Sequence, residues 1–140
     1  MQKLRSVLLV DDDPTNNFLN QRLLKRLDVA DQVAVAENGQ EALALLQPAS
    51  HDGLPPSFPA LILLDLQMPI MNGIEFLQAY QELPLAQRRN TTVVVLSTSV
   101  DARDLSRLDD LPAAGRLNKP LTPEKIATLL QLHFERQLPD

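Results

Sequence analysis

The sequence predicts an α/β fold of the (βα)5 type: five parallel strands in one sheet, with helices on both faces. Three observations carry this. Short apolar runs alternate five times with segments of helical period. The run Ala60–Leu64 is almost wholly apolar, and Thr92–Leu96 is β-branched and apolar, as parallel strands covered on both sides should be. Two runs end in carboxylates: Val7–Val10 leads into Asp11-Asp12-Asp13-Pro14, and Leu63-Leu64 leads into Asp65. The carboxyl ends of strands are where an open α/β sheet gathers its ligands.

The elements follow in order. Ser6–Val10 reads as the first strand. Pro14–Leu27 reads as a helix, with Asp13 as N-cap and Pro14 in the first turn. Phe18, Leu19, Leu23, Leu24 and Leu27 are assigned to its inner face by their spacing. Gln32–Ala36 is the second strand, and Gly39–Leu46, rich in Ala and Leu, is a helix. Ala60–Leu64 is the third strand and Gly73–Gln81 the helix after it. Thr92–Leu96 is the fourth strand, and Asp101 can cap a helix over Ala102–Leu108. Gly115–Asn118 is a weak fifth strand. Thr122-Pro123 opens a last helix that runs to about Gln137. Right-handed crossovers then place helices on both faces. The one irregular stretch, Gln47–Pro59, carries four prolines and Gly53 and reads as a long, solvated surface loop.

A chain of 140 residues with 44% hydrophobic residues suits one globular domain, expected to span residues 1–140. Apolar runs of about five residues are far too short to span a membrane. No secretory leader pattern follows Met1, and no cysteine is present, so disulfides and thiolate metal sites are excluded. These features lead to the expectation of a cytoplasmic protein with no membrane contact. A net charge of −5 without a basic cluster argues against a nucleic-acid surface.

Four positions stand at carboxyl ends of predicted strands: Asp11-Asp12, Asp65, Ser97 and Lys119. In a parallel sheet these ends can converge on one crevice. Clustered carboxylates repel one another, and a hard divalent cation removes that repulsion. Oxygen ligands without His or Cys point to Mg²⁺. A carboxylate beside such an ion can attack phosphorus and become an aspartyl phosphate. Lys119 offers a compact positive charge and Ser97 a hydroxyl donor to the same group, so catalysis would rest on positioning and charge neutralisation. His51 and His133 read as a loop and a helix-face residue rather than ligands. Phe18, Phe76 and Phe134 read as core.

The motifs that hold these residues resemble the receiver domain of response regulators, the CheY-like family of two-component signalling. They are Asp11-Asp12 after a Val-rich strand, Asp65 in Asp-x-x-Met-Pro, Met71-Asn72-Gly73, Ser97 after Val-Val-Val-Leu, and Lys119-Pro120. They span nearly the whole chain, and the Ser97-to-Lys119 separation of 22 residues is similar to that of ordinary members. The resemblance implies a doubly wound, flavodoxin-like sheet of strand order 2-1-3-4-5, the order known for this family, and a cis Lys119-Pro120 bond. It implies Asp65 as phosphoacceptor, with Mg²⁺ held by Asp12 directly, by Asp11 largely through water, by Asp65, and by the backbone carbonyl of Gln67. Ser97 would follow the phosphoryl group and Lys119 would hold it. Gln67 and Ser99 occupy positions expected to tune dephosphorylation. The donor would be a sensor histidine kinase or histidine phosphotransfer protein docking near Pro14–Leu27 and the Pro120 loop. The output face would be formed by Ala102–Leu108, Gly115–Asn118 and Thr122–Gln137.

The expectation is a stand-alone receiver, monomer or homodimer, that signals by protein contact with a downstream target or by phosphorelay. It would catalyse only its own phosphorylation and dephosphorylation. The family often carries an aromatic switch residue three positions before the lysine; here that position is Arg116. Arg116 reads as an exposed polar residue on an edge strand, or else as a side chain that swings between salt-bridge partners. Two other readings stand beside the main one. A phosphorylation-independent protein-binding module is kept open by Arg116. A Mg²⁺-dependent phosphohydrolase is disfavoured because Gln67 stands where such enzymes usually carry a second carboxylate.

Overall fold

Alternate residues of the buried strands point to opposite faces, and each face has its own core. The computed structural model describes residues 3–46, 58–98 and 102–134. Along it run β1 (Leu4–Val10), α1 (Pro14–Arg26), β2 (Ala30–Ala36), α2 (Gly39–Leu46), β3 (Leu61–Leu64), α3 (Gly73–Tyr80), α4 (Leu85–Arg88), β4 (Thr92–Ser97), α5 (Ala102–Leu108), β5 (Gly115–Asn118) and α6 (Pro123–Phe134). The sheet order is β2-β1-β3-β4-β5, all parallel. Val7, Leu9, Leu61, Leu63, Val94 and Leu96 join Leu24 of α1 and Ile126, Leu129 and Leu130 of α6 in one core. Leu8, Val10, Ile62, Leu64 and Val93 join Ala42 and Leu46 of α2 and Phe76, Leu77 and Tyr80 of α3 in the other. Val95 continues that side, packing with Leu66 and Ile74 and against Leu108 of α5. The expected doubly wound architecture is therefore present.

Registers bring the strand ends together. Val10 pairs with Leu64, Leu64 with Val95, and Ser97 with Asn118. Chain order reverses between β1 and β3, so the crevice of the doubly wound sheet opens beyond Val10 and Leu64. The Lys119–Pro120 bond is cis, as the resemblance implied.

The structure corrects two expectations about α1. Phe18 and Leu19 are each 55% exposed, whereas Leu24 and Asn17 are its buried residues. Phe18 instead lies beneath the Arg22 guanidinium, 5.7 Å from the ring centroid. Phe76 is fully buried, and Phe134 packs half-buried against the first core. The other difference is α4, a single turn too short to leave a periodic signature. There Arg88 Nε donates to the Leu83 carbonyl at 2.8 Å and its guanidinium lies 5.8 Å from the Tyr80 ring centroid. Most of the Gln47–Pro59 loop, His51, Ser99, Asp101 and the end of the last helix toward Gln137 lie outside the described residues. Among the described residues, no helix is long and apolar enough to cross a membrane.

Candidate functional site

The crevice begins where β1 stops. Asp11 N–H still donates to the Ala36 carbonyl at 3.1 Å, but the chain then turns into α1. Asp13 makes that turn: its Oδ1 accepts from Thr15 N–H at 2.9 Å and Asn16 N–H at 3.4 Å, capping the helix. Asp11 Oδ1 accepts from Asp13 N–H at 3.0 Å, so its carboxylate is folded back over the same turn. The Asp11 carbonyl accepts from Asn17 Nδ2 at 2.8 Å.

Beside it, Asp65 N–H donates to the Val10 carbonyl at 2.9 Å, carrying the β1–β3 pairing one residue past β3. The segment after Asp65 returns tightly to α3, and Gly73 permits this. A Cβ on Gly73 would stand 2.5 Å from the Asp65 carbonyl oxygen and 2.8 Å from Leu66 Cα, so only glycine fits. Asn72 and Glu75 form a capping box that fixes the start of α3. Within this segment Ile70 adopts φ 69° and is 74% exposed.

Asp11, Asp12 and Asp65 each offer a carboxylate oxygen, and these atoms all lie within 4.8 Å of one another. Asp11 and Asp65 are buried and Asp12 is exposed. Lys119 enters from the end of β5, where its N–H donates to the Ser97 carbonyl at 2.8 Å. Its Nζ stands 2.9 Å from Asp11 Oδ2 and 3.4 Å from Asp65 Oδ2. Ser97 is buried, and its hydroxyl has no hydrogen-bond partner. Gln67 is exposed, and its N–H lies 3.4 Å from Asp65 Oδ1.

The electrostatics follow from this crowding. Burial holds the Asp65 carboxyl above its ordinary value; the Lys119 ammonium pulls it down, and the Asp11 charge pushes it further up. Burial of Lys119 disfavours its charge, but the hydrogen bond to Asp11 and the charges of Asp65 and Asp11 outweigh this and hold its pKa above the ordinary value. One ammonium, paired to Asp11 and Asp65, is therefore outnumbered by a cluster of three carboxylates. The donors are all oxygen, with no His or Cys among them, which fits a hard divalent cation of the Mg²⁺ type.

Asp11, Asp12, Asp65 and Lys119 thus meet in one crevice, with the Ser97 carbonyl bonded to Lys119 N–H and Gln67 N–H turned to Asp65, while Ser99 lies outside the described residues. Arg116 is exposed on β5, opposite Val95, and lines a cavity of about 210 Å³ with Leu105, Leu108, Asp109 and Ala113. A larger cavity of about 360 Å³ adjoins the crevice, lined by Asn16, Leu19, Leu23, Leu96, Thr98, Lys119 and Leu121. Asn17 escaped sequence reasoning. Its signal was a polar residue seven positions before Leu24, on the helix face that should have been apolar.

A family model described as response regulator receiver domain matches residues 7–131. The two-component response regulator ARR22 of Arabidopsis thaliana is 34% identical over 136 residues, covering 96% of this chain and 87% of that protein. The crystal structure of a two-component response regulator from Cytophaga hutchinsonii superposes with a TM-score of 0.81 at 26% identity, covering 96% of this chain and 100% of the other. The bacteriophytochrome response regulator AtBRR superposes with a TM-score of 0.77 at 31% identity, covering 99% and 100%.

Proposed function

Because this chain belongs to the response regulator receiver domain family, we propose that it takes a phosphoryl group onto Asp65 from a phosphohistidine of a sensor kinase or phosphotransfer protein. The observation that carries this is the cluster of Asp11, Asp12 and Asp65 carboxylate oxygens, with Lys119 Nζ paired to Asp11 and Asp65 and an unpartnered buried hydroxyl on Ser97 at the end of β4. Asp11, Asp12, Asp65 and the Gln67 carbonyl would hold Mg²⁺. When bound, the ion supplies positive charge to the carboxylates and to the incoming phosphoryl oxygens.

An Asp65 carboxylate oxygen attacks phosphorus. The phosphorus–nitrogen bond to the donor imidazole breaks, and its electron pair leaves with the imidazole. Lys119 Nζ, already between Asp11 and Asp65, moves its hydrogen bonding to a phosphoryl oxygen. Ser97 is a buried donor without an acceptor, and a phosphoryl oxygen on Asp65 would supply one. Breaking and remaking these contacts is how the charge on Asp65 would shift the chain between two states. The cavity beside Leu19, Leu23 and Leu121 supports docking of the donor on α1 and the 119–121 segment. The face of α5, β5 and α6 is the proposed output surface, through contact with a downstream protein or onward phosphotransfer.

Intact mass after incubation with acetyl phosphate tests the reading. A single adduct that requires Mg²⁺ and disappears in Asp65→Asn is expected. No adduct from acetyl phosphate or from a phosphorylated histidine phosphotransfer protein would overturn it. A binding module without phosphorylation would then be favoured, with Arg116 in the family's aromatic position as its supporting observation.

A further inference from the structure

We propose that Asn17 is a positioning residue for the metal site, acting through the Asp11–Asp12 peptide. This rests on the reading of Asp11, Asp12 and Asp65 as Mg²⁺ ligands. Burying Asn17 has a cost. Asn17 is 4% exposed, four residues into α1, on the face it shares with Leu24. Asparagine is a poorer helix former than alanine or leucine, and a buried amide is costly unless both its ends are bonded. Here only one end is bonded. Nδ2 donates to the Asp11 carbonyl at 2.8 Å, while Oδ1 has no partner. The acceptor dictates which end of the amide faces the carbonyl, so the orphan must be Oδ1. An apolar residue would serve α1 better.

What the amide holds is the first carbonyl beyond the sheet. Val10 is the last residue of β1 in register with both β2 and β3. The Asp11 carbonyl lies past those pairs and takes its hydrogen bond from Asn17. That carbonyl belongs to the peptide leading into Asp12, so its orientation sets the direction of the Asp12 side chain. The two carboxylates differ in how they are held. Asp11 is fixed directly, by Lys119 Nζ at 2.9 Å and by Asp13 N–H at 3.0 Å. Among the described residues, no hydrogen bond or ion pair engages the Asp12 carboxylate. Asp12 is aimed by its backbone alone, and Asn17 grips that backbone.

The test compares the full chain with Asn17→Leu and Asn17→Ala, which remove the donor with and without filling its space. Mg²⁺ binding is followed by isothermal titration calorimetry and folding by thermal melts without metal. Outer-shell partners of metal ligands commonly alter metal affinity 10- to 100-fold, and about tenfold weaker Mg²⁺ binding is expected here. Both variants leave the buried Asp11 carbonyl without its donor, so the melting temperature without metal should fall modestly while the chain stays folded. Phosphorylation by acetyl phosphate should need correspondingly more Mg²⁺, yet reach the wild-type rate at saturation, a split that loss of folding would not produce. Folded variants that bind Mg²⁺ within about twofold of wild type overturn the inference. If neither variant folds, the wild type decides by NMR: its Asn17 side-chain amide signals should shift at the same Mg²⁺ midpoint as the Asp12 backbone amide, and unmoved signals overturn the inference. A wild-type chain that binds no Mg²⁺ overturns the metal-site reading itself.

Discussion

Asp65 is pulled three ways at once, and its stability consequences follow from that. Two carboxylates 4 Å apart repel by roughly 4 kcal/mol at an effective dielectric near 20, and one ammonium cannot neutralise three such groups. Asp65→Asn removes a repelling charge while keeping the shape. The metal-free variant should be more stable than wild type at neutral pH by about 1 kcal/mol, or about 3–5 °C in Tm for a chain of this size. The pH dependence has a definite sign. The folded chain holds the Asp65 proton more tightly than the unfolded chain, because the folded-state pKa lies above the ordinary value of 3.8. Below that value Asp65 is neutral in both states and the two proteins should melt alike. As pH rises through the folded-state pKa the wild type loses this contribution and the gap opens. Melts from acid to neutral pH, without metal, check both the sign and the window. The identities of these residues were legible in the sequence, because an aspartate ending an apolar strand has no packing explanation. The burial of Asn17 was legible only faintly, as a polar residue seven positions before Leu24, since polarity alone would have placed it on the solvent face.

At the scale of elements, the approach of α3 to β3 is the narrowest fit in the site. Gly73 N–H donates to the Leu66 carbonyl at 3.0 Å, and the missing Cβ is what lets the Asp65 carbonyl pass. The obstacle is backbone rather than a flexible side chain, so Gly73→Ala must displace either the Asp65 segment or α3. A loss of about 1–3 kcal/mol in urea unfolding is expected, together with slower phosphorylation by acetyl phosphate, because Asp65, the proposed phosphoacceptor, moves with the segment. Gly39 meets a similar limit, 2.9 Å from the Met71 carbonyl oxygen, and joins α2 to the same segment through its N–H. Most elements could be read from periodicity and caps, as with Asp13 at the start of α1, while the Asn72 cap of α3 came from the structure. Helix faces were harder. Phe18 and Leu19 have the spacing of an inner face, but α1 meets the sheet through Leu24, with Leu23 and Leu27 flanking that core, and Phe18 and Leu19 stay exposed.

For the whole molecule, the sheet order gathers Asp11, Asp12, Asp65 and Lys119 at the carboxyl ends of its strands, so the proposed metal site and the fold are thermodynamically linked. A cation that binds the folded crevice and not the unfolded chain stabilises it by RT ln(1 + [L]/Kd), about 2.7 kcal/mol at a hundredfold excess over Kd. Added Mg²⁺ should therefore raise Tm, EDTA should reverse the rise, and Asp12→Asn should reduce it. A melt that ignores Mg²⁺ in the wild type would contradict the assignment of the carboxylates. The sequence alone determined the alternation of strands and helices, the carboxylates at strand ends, and the lysine and serine that answer them. These are local matters: hydrophobic period, caps and turn residues act over a few positions, and a charge at the end of an apolar run stands out without knowledge of the fold. Only the tertiary structure decided that Lys119 bridges Asp11 and Asp65 across 108 and 54 positions of chain. It also decided that Ser97 keeps a buried hydroxyl without a partner, and that Asn17 turns inward to hold the Asp11 carbonyl. Those depend on strand order and on which helix face meets the sheet, and both are settled by how the two cores pack rather than by any single stretch of residues.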